Sequence, residues 1–294
     1  MVTIFNDKNP RHIERLEREI ENLPGINELK FYPDISCLEV GNEIVQRLEK
    51  ARLIPCLTFI DPCGYKGLTA GLIGSITKDW GCDCIVFFNT NRIKMALNNP
   101  VVEPLIDDLF GKEIADELRE SYFSLPEDER ESQIIESLYR ALSAEGAEYI
   151  LPFKFMAAHR RRTSHHLIFI TKNFTAYKIM KEIMYAESSE VAEGVASFEY
   201  CQATGMQPHL LAYLSPIEAL KESLFEDFKG ETLTLEEVFM KHSIGKPYVL
   251  KNYQDVLKEL EQEGRILADP PADKRHVRKG KLTFPKHVLI TFIG

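Results

Sequence analysis

The chain has 294 residues, 44% hydrophobic and 28% charged, enough for one large or two medium domains with full cores. No apolar run reaches the roughly 20 residues that span a bilayer, and the N-terminus lacks the basic-then-apolar plan of a secretion signal, so a cytoplasmic protein without a membrane span is expected. A net charge of -9 would repel a polyanion if it were evenly spread.

Residues 2–5 form a β-branched and aromatic run that ends in Asn6-Asp7-Lys8-Asn9-Pro10. Residues 12–23 then carry Ile13, Leu16, Ile20 and Leu23 on one face at the 3.6 period, which predicts a strand followed by a helix. Residues 35–40 predict a second strand, and Ile44, Val45 and Leu48 mark a helix behind it. Residues 53–60 predict a third strand, 68–78 its helix, and 84–88 a fourth strand of continuous apolar character, as expected where both faces of a parallel sheet are covered. Alternation at this length predicts a doubly wound α/β sheet.

The third strand runs into Asp61-Pro62-Cys63-Gly64-Tyr65-Lys66-Gly67. An acidic residue at the carboxyl end of a buried parallel strand, followed by Pro and an aromatic, lies where open α/β sheets place their ligand crevice. The plainer alternative is a strand-to-helix turn punctuated by Pro and Gly. Asn89, Asn91 and Arg92, after the fourth strand, fall on the same edge of the sheet and are candidates for substrate contact, as is Lys66. Arg92 at a buried edge would otherwise need a carboxylate partner.

Residues 101–145 show only helical periodicity, broken at Phe110-Gly111 and Leu125-Pro126, so a helical insertion over about 100–146 is expected. Acidic residues concentrate there. Residues 149–157 and 166–171 predict an antiparallel pair joined by a basic knot of Arg160, Arg161 and Arg162 with His159, His165 and His166, and 174–186 returns to helix. The six cysteines, Cys37, Cys56, Cys63, Cys82, Cys84 and Cys201, mostly lie in apolar segments and predict reduced core thiols. No His or Cys pair stands near Cys82 and Cys84 at ligand spacing, so no metal site is expected.

The chain divides on this reading into an α/β domain over 1–190, a linker over 191–214 and a C-terminal domain over 215–294. The last contains a helix to Phe228, a second at 235–242 after a cap region at Thr232 and Glu236, and a third at 249–263. Short strands at 265–268 and 288–292 enclose the basic loop 274–281, which completes a winged helix. Such a fold presents its third helix to a nucleic-acid groove and its wing to phosphates, or docks a protein. Lys251, Asn252, Gln254 and Lys258 are expected to reach outward from the third helix, and Lys274, Arg275, Arg278 and Lys279 from the wing. Glu259, Glu261 and Glu263 oppose an anionic partner.

The Asp61 corner resembles the Asp-Pro-Pro-Tyr corner of S-adenosylmethionine-dependent amino-methyltransferases, with Cys63-Gly64 in place of the middle proline. The element order is similar to that of class I methyltransferases, a parallel sheet that ends in an antiparallel pair. The resemblance sharpens to the three-Cys-motif partner (TcmP) family over most of the chain, through residues 5–10, 59–67 and 85–93, Pro247-Tyr248 and Asn252-Tyr253. It implies a Rossmann-like methyltransferase sheet. It also implies an amino-methyltransferase in which Asp61 and the Pro62 carbonyl accept hydrogen bonds from the target nitrogen and Tyr65 stacks on its ring. The cofactor S-adenosylmethionine would meet Asp7 at its ribose and Val40 and Asn42 at its adenine, although Asp7 also suits a helix cap. The family's first strand and Gly-rich turn are not present before Asp7, so a truncated or split protein with aggregation-prone strand edges is expected. The substrate is expected to be an amino group of a nucleic acid or nucleotide-like molecule. The family name implies a three-Cys-motif, radical-type partner, which leaves a non-catalytic docking protein as the alternative; a regulator that binds nucleic acid through the C-terminal module alone is the third reading.

Overall fold

The computed structural model describes residues 2–62, 65–127, 129–157, 163–189, 191–192, 195–201, 216–278 and 280–293. The basic knot at His159 and Arg160–Arg162, together with Cys63, Gly64 and Lys279, lies outside the described residues. The chain divides into two compact units, 1–52 and 53–294.

In the first unit, β1 (Ile4–Asn6) pairs in parallel with β2 (Asp34–Ser36), while α1 (Pro10–Glu21) and α2 (Asn42–Lys50) follow these strands. Pro10 opens α1, and the side chain of Asn9 caps it by accepting from Arg11 N–H, so the cap is Asn9 and not Asp7. Ile13 and Ile20 turn inward. The Asn6 amide donates to Leu38 O and accepts from Leu38 N–H, both at 3.0 Å, fixing the chain beyond β2 to the end of β1.

The second unit begins with β3 (Cys56–Ile60), α3 (Ala70–Thr77), β4 (Cys82–Phe88), α4 (Thr90–Ala96), α5 (Glu103–Phe110), α6 (Lys112–Tyr122) and α7 (Arg130–Ala144). It continues with β5 (Tyr149–Met156), β6 (Thr163–Thr171), α8 (Phe174–Glu187), β7 (Val191–Ala192), β8 (Val195–Ala196) and β9 (Glu199–Cys201). The sheet order is β3-β4-β6-β5-β9; β3 is parallel to β4, and β6 runs antiparallel to both β4 and β5. Alternate residues of β4 (Cys82, Cys84, Val86, Phe88) are buried on the face where α3 and α4 pack, with α5–α7 behind. Burial pushes the Cys82 thiol up to about 11 and Cys84 to about 12, keeping both protonated. Gly111, at φ +79°, supplies the left-handed turn between α5 and α6.

The opposite face is covered by α8 only over β5 and β6, where Tyr177 and Met184 meet Leu151, Phe153 and Phe169. At its other end Leu57 and Phe59 of β3 are 62% and 58% exposed. The cover expected on both faces of the parallel sheet therefore stops short at β3, which among the described residues pairs with β4 alone.

The C-terminal region runs α9 (Pro216–Asp227), β10 (Thr232–Thr234), α10 (Leu235–His242), α11 (Leu250–Gln262), β11 (Ile266–Asp269), β12 (Val277–Arg278), β13 (Lys281–Leu282) and β14 (Leu289–Phe292). β14 lies between β10 and β11, and β12 and β13 form the wing hairpin, so the helix–strand order is that of a winged helix. Thr234 and Glu237 form the capping box of α10. Thr232, expected in that role, instead sits in β10 with its hydroxyl 2.8 Å from that of Thr291.

Residues 191–201, expected as linker, carry β7–β9, and β9 extends the sheet through Lys154↔Glu199. α8 and the winged helix share a buried contact. Phe174 meets Phe239 at 5.7 Å between ring centroids, and the buried Lys181 donates to Ser243 O at 2.5 Å. That contact explains why the chain does not divide between 190 and 215.

Candidate functional site

Asp61 follows Ile60, which pairs with Val86, so the strand register brings Asp61 beside Phe87 at the carboxyl end of the two parallel strands. Its side chain is exposed; Pro62 and Tyr65 are half-buried and Lys66 is exposed. Asn89 caps α4 by accepting from Asn91 N–H (3.1 Å) and Arg92 N–H (3.3 Å). Asn91 donates to Thr163 O at 3.0 Å, tying α4 to the start of β6. Arg92 is exposed, so the expected carboxylate partner is not required: solvent takes the charge. Asp61, Asn89 and Asn91 thus come to one edge of the sheet, where Asn89 and Asn91 already have structural work.

Of the two histidines at the end of the expected basic knot, His166 also opened the expected strand 166–171, and β6 takes in both. The His165 ring is sandwiched between Phe87 (centroids 4.3 Å, planes 24° apart) and Phe155 (4.5 Å, 13°), and its Nδ1 lies 3.1 Å from Ser164 Oγ. Burial lowers its pKa, His166 adds to that, and Asp61 acts in the opposite direction. His166 is buried with Nε2 3.3 Å from Glu131 Oε1, while Glu131 Oε2 accepts from Thr163 Oγ1 at 2.6 Å. Burial would raise the Glu131 pKa, but the hydrogen bonds from His166 and Thr163 and the charge of Lys154 bring it to about 2. His166 Nδ1 is buried without a partner among the described residues. The strand alternation of residues 163–171 was the available signal. It places His165 and His166 on opposite faces, but it cannot say which residues lie across.

In the first unit the Asp7 carboxylate accepts from Asn9 N–H at 2.7 Å and lies 3.0 Å from His12 Nδ1; both lower its pKa, the backbone bond most. A carboxylate offers about four lone-pair positions, so hydroxyl donors can still be received. Val40 is exposed, and beyond the chain neighbours no described atom stands within 4 Å of where a Cβ at Gly41 would be, which leaves the backbone open to a ligand. The Asn42 side chain lies outside what is described. Asp7 and the open backbone at Gly41 have room and acceptors for the hydroxyls and ring of a nucleoside. No glycine precedes Gly25, so the described residues around Asp7 offer no glycine cradle for the methionine end of S-adenosylmethionine. The fit is to the nucleoside half only.

On the winged helix, Lys251, Lys274 and Arg278 are exposed, and Lys258 pairs with Asp255 at 3.0 Å. Asn252 does not reach outward: it is buried, and its Oδ1 accepts from Val249 N–H at 2.9 Å to cap α11. Arg275 also turns inward, paired with Glu261 and stacked 4.4 Å over the Phe284 ring, with its Nε and Nη1 buried without a partner among the described residues. The acids expected to repel an anion are likewise engaged. Glu259 and Glu263 bind the buried Lys221 at 2.9 and 3.0 Å, and these bonds hold its pKa well above the ordinary lysine range.

Residues 201–273 match a family described as GMT-like wHTH domain, a winged helix-turn-helix related to the TcmP family. The match covers about a quarter of the chain. No curated protein shows a significant match to it, and no solved structure does. No described helix is long and apolar enough to cross a membrane, and among the described residues no group of His, Cys, Asp and Glu could hold a metal ion.

Proposed function

We propose that this is a methyltransferase-like protein of the TcmP type whose Asp61 corner receives an amino group of a nucleic acid or nucleotide-like substrate. The observation that supports this best is the strand order β3-β4-β6-β5: two parallel strands run into an antiparallel pair whose last strand lies between β4 and β5, with Asp61 and Asn89 at the carboxyl ends. In open α/β sheets that end holds the ligand. Asp61 and the Pro62 carbonyl accept from the amine, Tyr65 stacks on its ring, and Lys66, Asn91 and Arg92 border it. Asp7, Val40 and Asn42 hold the nucleoside half of S-adenosylmethionine, which when bound supplies the methyl group. The winged helix brings the substrate, with Lys251, Lys274, Arg278 and Lys279 on phosphates; the engagement of Glu259, Glu261 and Glu263 by Lys221 and Arg275 offsets part of the acidic charge on α11. The setting is cytoplasmic.

A second reading, a non-catalytic docking protein for a three-Cys-motif enzyme, draws on the uncovered β3 edge with Leu57 and Phe59 exposed. Calorimetric titration with S-adenosylhomocysteine separates the two. The methyl-transfer reading expects saturable binding that Asp7→Asn weakens roughly tenfold or more, the cost of a charge-assisted hydrogen bond, and that Asp61→Ala leaves alone. Absence of binding gives the docking reading the field.

A further inference from the structure

At the amino end of the parallel pair, away from Asp61, Cys56, Cys82 and Cys84 share one face of the sheet. Cys56 opens β3 and Cys82 opens β4, and the strand register sets Cys56 beside Cys82 and Thr58 beside Cys84. Neighbouring strands stand about 4.8 Å apart, and a disulfide spans Cα atoms roughly 4.4–6.8 Å apart, so the Cys56 and Cys82 positions have the required spacing. Their side chains also meet. The Cys82 sulfur lies within hydrogen-bonding reach of both the thiol and the backbone N–H of Cys56, and it donates to Ile54 O at 3.3 Å.

The backbone holds this end of the pair together. Cys56 N–H donates to Gly81 O at 3.0 Å, and Leu53 N–H donates to Asp79 Oδ2 at 2.7 Å. Gly81, at φ +78°, approaches Pro55 so closely that a Cβ there would stand 3.0 Å from the Pro55 Cβ. The two sulfurs are therefore neighbours by virtue of the chain path, which gives a reaction between them a high effective concentration.

The two thiols differ in access. Cys56 is half-buried on β3, whereas Cys82 is 2% exposed. Burial, with Cys56 adding to it, holds the Cys82 thiol up at about 11, so it is inert toward an oxidant in solution and reacts with a sulfur delivered beside it. An accessible first sulfur and a sheltered second one are the arrangement of an attacking and a resolving cysteine.

We propose that Cys56 and Cys82 form an oxidisable dithiol, a modification site at which a low-molecular-weight disulfide of the glutathione class is reduced and β3 becomes bonded to β4. The Cys56 thiolate attacks one sulfur of the small disulfide and expels a thiolate. The Cys82 sulfur, giving up its proton to solvent, then attacks Cys56 Sγ and expels the second. Two protein thiols lose two electrons in all, and one small disulfide becomes two thiols. Cys84, without exposed surface and with Thr58 as its neighbour, takes no part. The bond fastens β3 where it enters the sheet, at the end opposite Asp61, and so resists opening of that strand.

The test is incubation of the native full chain with glutathione disulfide, followed by blocking of free thiols and peptide mapping by mass spectrometry. The expected product is a peptide pair linked through Cys56 and Cys82, free of retained glutathione and separated again by dithiothreitol, with slower amide exchange across residues 57–60. Cys82→Ser is expected to stop at the glutathione adduct of Cys56, Cys56→Ser to leave Cys82 unmodified, and Cys84→Ser to form the same link as the native chain. A native chain that retains glutathione on Cys56 overturns the proposal. So does one that links Cys56 to a different cysteine, or one in which Cys56 and Cys82 stay reduced while the exposed Cys37 is modified.

Discussion

The winged helix and the β3 side of the sheet are built from the same kinds of side chain and treat them in opposite ways. Leu235, Val238, Val256, Leu257 and Leu260 have no exposed surface, closed in by three helices and a three-stranded sheet. Leu57 and Phe59 are more than half exposed on a strand without a charged residue, paired on one side only among the described residues. Natural sheets guard an edge of this kind with charge, Pro or a bulge. A closed core leaves function to its polar surface, which here carries Lys251, Lys274 and Arg278. An uncovered apolar edge ties function to whatever covers it.

This contrast is sharpest in stability. Leu257→Ala, which removes buried methyl groups and leaves a cavity, is expected to cost about 3 kcal/mol. Phe59→Ala, at an exposed position, is expected to cost less than about 0.5 kcal/mol. Denaturant midpoints at constant slope measure both, and an equal loss at Phe59 would mean that the β3 edge is covered in solution.

A pH-dependent effect belongs to the contact between α8 and the winged helix. Lys181 is fully buried, bonded to Ser243 O and Tyr177 OH, and burial lowers its pKa to about 7 from an ordinary 10.5. Between those values the unfolded chain binds a proton that the folded chain does not, so stability rises with pH across that window and is flat below it. Lys181→Met is expected to abolish that rise in thermal or denaturant unfolding from pH 7 to 10. A rise that persists would place the charge elsewhere.

The mildest change concerns the surface alone. Lys274→Ala with Arg278→Ala is expected to leave the unfolding midpoint unchanged and to lower the salt dependence of duplex binding by about two phosphate contacts, a slope change of roughly 1.8 on logarithmic axes. An unchanged slope would assign the wing to protein docking.

Much of this organisation was legible. The alternation of strand and helix, the breaks near Gly111 and Pro126 and the antiparallel β5–β6 pair all follow from local periodicity and turn chemistry. The Asp61 corner could be read because an acid after an apolar run is a local signal. His165 was misread as part of a charged loop, since three arginines come before it and its place in the strand is recognised only once Phe87 and Phe155 are there; His166, the first residue of the expected strand, does lie in β6. Asn252 and Arg275 were misplaced for the same reason: a polar residue on a surface-type helix or loop reads as outward until the cap or the carboxylate that turns it inward is known.

The sequence by itself determined which segments are strands and helices, the winged-helix order of the last 80 residues or so, and the candidacy of Asp61, because side-chain period and capping chemistry act within a few residues. The tertiary structure alone decided that β6 lies between β4 and β5, that the chain divides after Arg52, that the acids of α11 are engaged by Lys221 and Arg275 and that His165 is held between Phe87 and Phe155. Those outcomes depend on pairings between residues far apart in the chain, such as Phe87 with His165. They are settled by which surfaces exclude water together, and no local pattern encodes that.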